Sequence, residues 1–211
     1  MSAETTQHPP FEWHGGRVCL DFANTVAWSG EARPNERLAS YGDLVEWAEQ
    51  AEVLSEPAAR RLRRAARADP GAAADALRDA HALREAIHDV VTARAERREP
   101  GAAAAEMLNR FLGRALGRLR LGVEGDACSW TFVDQGDELD RMLWPVAWSA
   151  ASLLTSADAS LVRACANEHC GWLFVDRSRN RSRRWCDMRG CGNMAKARRH
   201  YARKRGSAPA A

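Results

Sequence analysis

CANEHCGWLFVDRSRNRSRRWCDMRGCGNMAKARRHYARKR, residues Cys165 to Arg205, holds four of the six cysteines of a 211-residue chain. It contains two CxxxxC pairs, Cys165 with Cys170 and Cys186 with Cys191, separated by fifteen residues. Each short loop can fold two thiolates onto one ion, and the interval is long enough for a hairpin, which is the arrangement of a tetrahedral zinc site. Chance clustering or two separate redox pairs is the competing reading. The residues between favour the metal. GWLFVD supplies one strand-like arm and RRWC a return, with the turn near Ser178 to Asn180. Trp172, Phe174 and Trp185 are then the only mini-core so small a unit can assemble, and one zinc ion takes the place of the missing apolar interior.

Cys191-Gly192-Asn193 leads into an unbroken run from Met194 to Arg205, so the fourth ligand is expected at a helix N-terminus, giving a treble-clef-like unit. A closed site of four thiolates has no open coordination position, which makes the metal structural rather than catalytic. His169 and His200 are expected to be solvated and not ligands. On the helix, Lys196, Arg199 and Arg203 lie along one side, with Arg198 and Arg205 along another and Lys204 beside them. Arg177, Arg179, Arg181, Arg183 and Arg184 add a second basic surface at the hairpin.

Charge separates this unit from the rest of the chain. Residues 161–211 carry 13 Lys and Arg against Glu168, Asp176 and Asp187, a net +10. Residues 1–160 carry 18 Arg, no Lys and 25 Asp and Glu, a net −7. A basic block beside an acidic body points to a polyanion, with double-stranded DNA the first candidate. An acidic protein partner or RNA is the alternative. Because only two lysines occur in the chain, the clustering carries weight here and the choice of Arg does not.

The upstream chain reads as mainly helical. Its composition is 45% apolar, ample for a core. Phe11 to Val26 alternates around Gly15 and Gly16 and suits a hairpin with its turn at His14 to Arg17. Tyr41 to Leu54 is an amphipathic helix capped by Ser40 or Asp43. Further helices follow from Ser55 to Asp69, from about Ala73 to Arg98, and from Gly101 to Leu119. Together they form an antiparallel bundle. Leu119 to Asp134 is a second hairpin turning at Glu124 to Asp126, able to join the first in a small sheet. Asp137 to Thr155 is the last helix of the body, kinked or restarted near Pro145. The short linker Ser156 to Ser160 holds the finger near the body.

The fold class is thus α+β, mainly α: a helical bundle with two β-hairpins followed by a small zinc module. The expected division is a disordered 1–10, a helical domain 11–158, a finger 159–205 and a disordered tail 206–211. Cys19 and Cys128 are expected to be small buried hydrophobes. Asp21, Asn24 and Thr25 interrupt an apolar stretch. With Trp28, Arg37 or Trp47 they could line a pocket for a small-molecule effector, or else simply pin the hairpin. His81 and His88 fall seven apart on one face of the long helix and are read as edge residues of a carboxylate-rich amphipathic helix rather than as a functional pair. No HExxH, GxSxG or Walker sequence appears, and no enzyme is expected. The N-terminus lacks a signal peptide pattern, and no run of about 18 apolar residues occurs. A cytoplasmic protein without membrane contact is expected, and homo-oligomerisation stays open.

The quoted stretch resembles the CGNR zinc finger in its cysteine pairs, its Phe174-x-Asp176-x-Ser178-Arg179-Asn180 hairpin and its RRWC-x-M-x-x-CGN-x-x-K-x-R ending. Gly15 to Val26, GGRVCLDFANTV, resembles the opening of the ABATE domain that usually precedes that finger. The resemblance implies a bacterial stress-induced transcription regulator with zinc on Cys165, Cys170, Cys186 and Cys191 and DNA contact through the finger. Met194 departs from it, standing where Arg completes the CGNR motif. Any contact of that guanidinium with a phosphate, Asp176 or Asp187 is absent here.

Overall fold

The structure, a computed structural model, describes residues 11–26, 36–133, 136 and 138–206, with side chains through Tyr201. Trp28 and the chain ends 1–10 and 207–211 lie outside the described residues. The long helix α4, Pro70–Ala95, is the axis of the body. Pro70 occupies its first turn and the Asp69 carboxylate accepts the Ala72 amide at 2.9 Å, so the N-terminus is both pre-shaped and capped. Ala80, Leu83, Ile87 and Val91 recur at helical spacing and are almost wholly buried.

Around α4 pack α1 (Val18–Ala23), α2 (Tyr41–Gln50), α3 (Glu56–Ala68), α5 (Ala102–Arg118) and α6 (Leu143–Leu154). Both proposed caps of α2 act together. The Ser40 hydroxyl accepts the Asp43 amide while the Asp43 carboxylate accepts the Ser40 amide, a reciprocal capping box. The core collects Phe22, Trp47, Leu83, Ile87, Phe111, Met142 and Leu143, all at most 2% exposed. Arg84 is buried on α4 and spans Glu36 with both terminal nitrogens, also reaching the Thr25 hydroxyl. It thereby fixes the two sides of the Val26–Glu36 bridge.

The chain departs from the expected pattern in four places. Residues 18–23 are a helix, α1, and not a hairpin strand. Cys19, Leu20, Phe22 and Ala23 are all buried, so α1 is covered on nearly every side and its apolar pattern has no exposed face to reveal a helical period. The preceding turn is tight: a Cβ on Gly15 would stand 2.6 Å from the Leu20 Cβ and 2.9 Å from the Asp21 nitrogen, and Gly16 has φ +76°.

Second, the hairpin of β1 (Leu119–Glu124) and β2 (Ala127–Phe132) turns where expected but among the described residues joins no larger sheet, because α1 offers it no strand. Cys128 on it is consequently exposed, whereas Cys19 is fully buried. Third, the last body helix begins at Leu143, with Pro145 in its first turn; Leu139 to Met142 are turns.

The fourth departure concerns the finger. The second two-stranded sheet pairs β3 (Val162–Ala164) with β4 (Leu173–Val175), so β4 returns on the strand before the first cysteine pair, not on Arg183 to Cys186. The Asp176 carboxylate is the reason. It gathers the Ser178 amide, the Ser178 hydroxyl and the Arg183 amide at 2.6–3.0 Å, closing residues 176–183 into a compact turn. Among the described residues no helix is long and apolar enough to cross a membrane.

Candidate metal centre and basic helix

The first cysteine pair sits on a loop between β3 and β4. The Cys165 amide donates to the Trp172 carbonyl at 2.8 Å and the Cys170 amide to the Asn167 carbonyl at 2.9 Å, so the loop folds back and aims both thiols one way. The second pair spans a π-helical turn, Met188–Gly192. The Asp187 carboxylate caps that turn by accepting the Gly190 amide at 2.6 Å, and Cys191 leaves it directly into α7, Asn193–Gly206. The wide turn swings Cys191 back toward Cys186.

All four sulfurs lie within 4.8 Å of one another and all four cysteines are buried. Cys186 Sγ stands 3.6 Å from both Cys170 Sγ and Cys191 Sγ. A tetrahedron with zinc–sulfur bonds of about 2.3 Å has edges of about 3.8 Å, so the donor set fits the ion. Neighbouring groups are arranged for charged sulfur. Asn167 Nδ2 donates to Cys191 Sγ at 3.3 Å and the Cys186 amide to Cys165 Sγ at 3.4 Å. Without a cation the cluster can carry little negative charge. Hydrogen bonds from Cys170 and Cys186 pull the Cys165 thiol far down, and those same bonds push Cys170 and Cys186 up. A divalent cation relieves this competition and lets all four bind as thiolates.

Trp172, Phe174 and Trp185 pack with the four cysteines as the finger's own core. The next residues along β4 face the other way: Leu173 and Val175, with Val162 of β3, belong to the apolar core of the body. One small ribbon therefore serves as a wall for both units. Polar groups close the seam. Asn24 donates to the Leu173 carbonyl and accepts the Leu173 amide, both at 2.9 Å, copying a strand partner. Trp172 Nε1 reaches the Val26 carbonyl at 2.8 Å, and the Val175 amide reaches the Gly15 carbonyl at 2.9 Å. His88 on α4 bonds the Gly171 carbonyl at 3.0 Å, so it belongs to this seam. The 156–160 linker adds Asp158, which bridges Arg17 of the body and Arg177 of the finger.

The candidate ligand-pocket residues separate. Asn24 is spent on β4, and the Asp21 carboxylate accepts the Gly15 amide at 2.8 Å. Arg37 lies with its guanidinium 5.0 Å from the Trp172 ring centroid, bonded to Glu12. It lines a cavity of about 230 Å³ beside the cysteines that Met194 and Asp187 also line. Neither acidic candidate partner for the missing guanidinium is left stranded, Asp176 holding its turn and Asp187 capping Gly190.

The basic residues also divide. Arg183 is half-buried, donating to the Trp185, His14 and Cys186 carbonyls and covering the Phe174 ring at 4.2 Å. Arg179, Arg181 and Arg184 are exposed, Arg184 over Trp185 at 5.3 Å. Lys196, Arg198 and Arg199 are exposed on α7, with Arg198 paired to Glu168 at 3.1 Å. The side chains of Arg203 and Lys204 lie outside the described residues. His169 and His200 are exposed and no part of the thiol cluster. Asn167, Asp158 and His88 were not singled out for these roles by sequence reasoning. Asn167, polar inside a CxxxxC loop, carried the one local signal that could have found its role.

A closed four-cysteine centre seated on a helical domain defines a zinc-finger protein with one structural zinc ion. The chain belongs to the ABATE family, described as "Putative stress-induced transcription regulator", whose model matches residues 16–157. The CGNR zinc finger model matches residues 162–204. No curated protein matches the chain.

Proposed function

We propose that this protein is a DNA-binding transcription regulator of the cytoplasm, serving a stress response, in which the finger contacts duplex phosphates and the body receives an effector or joins copies of the chain. The observation that carries the reading is α7. It leaves the metal centre directly from Cys191, and every described residue from Asn193 to Tyr201 except Ala195 is exposed, Lys196, Arg198 and Arg199 among them. Exposed cations on a rigid helix bind polyanions by displacing their counterions. Arg179, Arg181 and Arg184 extend the surface, while Arg183 is spent on the fold. The metal's part in this reading is structural, because four thiolates leave it no position for substrate.

Filter binding of the zinc-loaded chain to random duplex DNA across a salt series tests this. Affinity should fall steeply and linearly on logarithmic axes, and chelation should abolish it. Salt-insensitive or undetectable binding, with zinc present at one ion per chain, overturns the DNA reading in favour of an acidic protein partner.

A further inference from the structure

No residue of the β1–β2 ribbon is buried, and nine of its twelve are exposed. Its register sets Leu119, Leu121 and Val123 opposite Phe132, Trp130 and Cys128 on one face, and Arg120, Gly122 and Glu124 opposite Thr131, Ser129 and Ala127 on the other. Phe132 packs against the core and Trp130 approaches Trp148 of α6, with centroids 6.3 Å apart. Farther out, Leu121 is 57% exposed and Val123 68%. A two-stranded ribbon is marginal by itself, and among the described residues neither strand pairs with a third.

The free edge of β1 is specific. The Val133 amide donates to the Arg118 carbonyl, so by alternation Arg120, Gly122 and Glu124 bond toward β2, and the main-chain groups of Leu119, Leu121 and Val123 point outward. Along that edge the sequence Arg120-Leu121-Gly122-Val123-Glu124 reads cation, apolar, glycine, apolar, anion. Laid antiparallel on itself about its centre, it is complementary at every position.

We propose that a second copy of this chain adds to the β1 edge antiparallel, about a twofold axis at Gly122, making one four-stranded sheet. Leu121 of each copy then exchanges two main-chain hydrogen bonds with Val123 of the second copy. Arg120 of each faces Glu124 of the other, giving two opposite-charge cross-strand pairs. The two Gly122 residues meet where no ladder bond separates the strands and side chains approach most closely, a place that suits glycine. On the opposite face Leu121, Val123 and Trp130 of both copies become one continuous apolar surface. The interface is isologous and closes on itself, so it stops at a dimer. It gives the self-association part of the proposed function a surface, and its test involves no DNA, so its failure is distinct from failure of the DNA reading.

Sedimentation velocity of the zinc-loaded full chain over a concentration series should show a monomer–dimer equilibrium. Arg120→Glu and Glu124→Arg should each weaken it about tenfold or more, and the double variant should restore it, because both cross-strand pairs reform with their signs exchanged. In a Cys128→Ser background, Gly122→Cys should form an interchain disulfide under mild oxidation. The nearest atoms to a Cβ there belong to Ser129 and Thr131, at 3.4 Å and beyond, so the ribbon accepts it. A monomer at every concentration, or a dimer indifferent to both single charge reversals, overturns the proposal.

Discussion

The body and the finger solve the same problem with different materials. Around α4 the body packs Phe22, Trp47, Ile87, Phe111 and Leu143 in a contiguous apolar interior. The finger has Trp172, Phe174 and Trp185 around four cysteines, too little apolar surface to offset the entropy of ordering its loops. Zinc–sulfur bonds supply what packing cannot, so the finger's order depends on an ion and the body's does not. The two are nevertheless joined through β3–β4, whose alternate residues serve both cores. Cys186→Ser sharpens the contrast most. It should lower zinc from one ion per chain to a trace and forfeit metal-binding energy on the order of 10 kcal/mol from the finger. Circular dichroism should show α2 to α6 still folded, with a lowered melting temperature because the shared ribbon loses one of its walls. Full retention of zinc, or collapse of the whole chain, would break the division.

The converse change is Phe22→Ala. Phe22 is fully buried on α1 with its ring centroid 4.9 Å from that of Trp47. Its removal should cost about 3–5 kcal/mol in denaturant unfolding while zinc stoichiometry in the folded protein stays at one.

How far these two regions were legible in the sequence follows from the same difference. The metal centre was open to reading because its determinants are local: each CxxxxC loop carries both of its ligands, and Cys191 runs straight into α7. The amphipathic helices α2 to α5 were equally plain, since each keeps an exposed face that reveals its period. Val18 to Ala23 was not, because a segment buried on nearly all sides shows no period. Its partners are distant in sequence as well: Ser149 accepts the Cys19 amide, and Asn24 pairs with Leu173. The pairing of β4 failed for a related reason. An arginine-rich run after Asp176 looks like a hairpin arm until the carboxylate is seen to hold Ser178 and Arg183 together. Asp21 and Asn24 were correctly marked as unusual, yet their partners could not be read, because polar residues in an apolar run announce a bond without naming it.

Asp21 offers a finer probe of the body. Burial outweighs its bond from the Gly15 amide and pushes its carboxyl up to about 6. Between roughly pH 4 and 6 the folded chain therefore keeps a proton that the unfolded chain has released. The stability contributed by the neutral form is complete below the unfolded value and lost as pH rises through 6. Asp21→Asn should match the parent near pH 4 and exceed it by roughly 2–3 kcal/mol at pH 7. Comparing the two proteins at each pH cancels the proton dependence of zinc binding, which both share. A constant difference across the range would show that Asp21 does not titrate in this way.

The smallest effect separates two arginines of the finger itself. Arg199 lies exposed on α7, whereas Arg183 is tied to three carbonyls and covers Phe174. If the finger contacts phosphates through its outer surface, Arg199→Ala should lower DNA affinity several-fold, on the order of 1 kcal/mol, and reduce the slope of log affinity against log salt by about 1. Its melting curve and zinc content should not move. Arg183→Ala should do the reverse, destabilising the finger and easing chelation of its zinc while leaving the salt slope of the protein that stays folded unchanged. Charge alone would make the two substitutions equivalent, since each removes one guanidinium from the same basic block. Geometry makes them opposite, because three of the five donors of Arg183, on Nε and Nη2, already meet carbonyls, and turning them to a phosphate would leave those carbonyls unpaired.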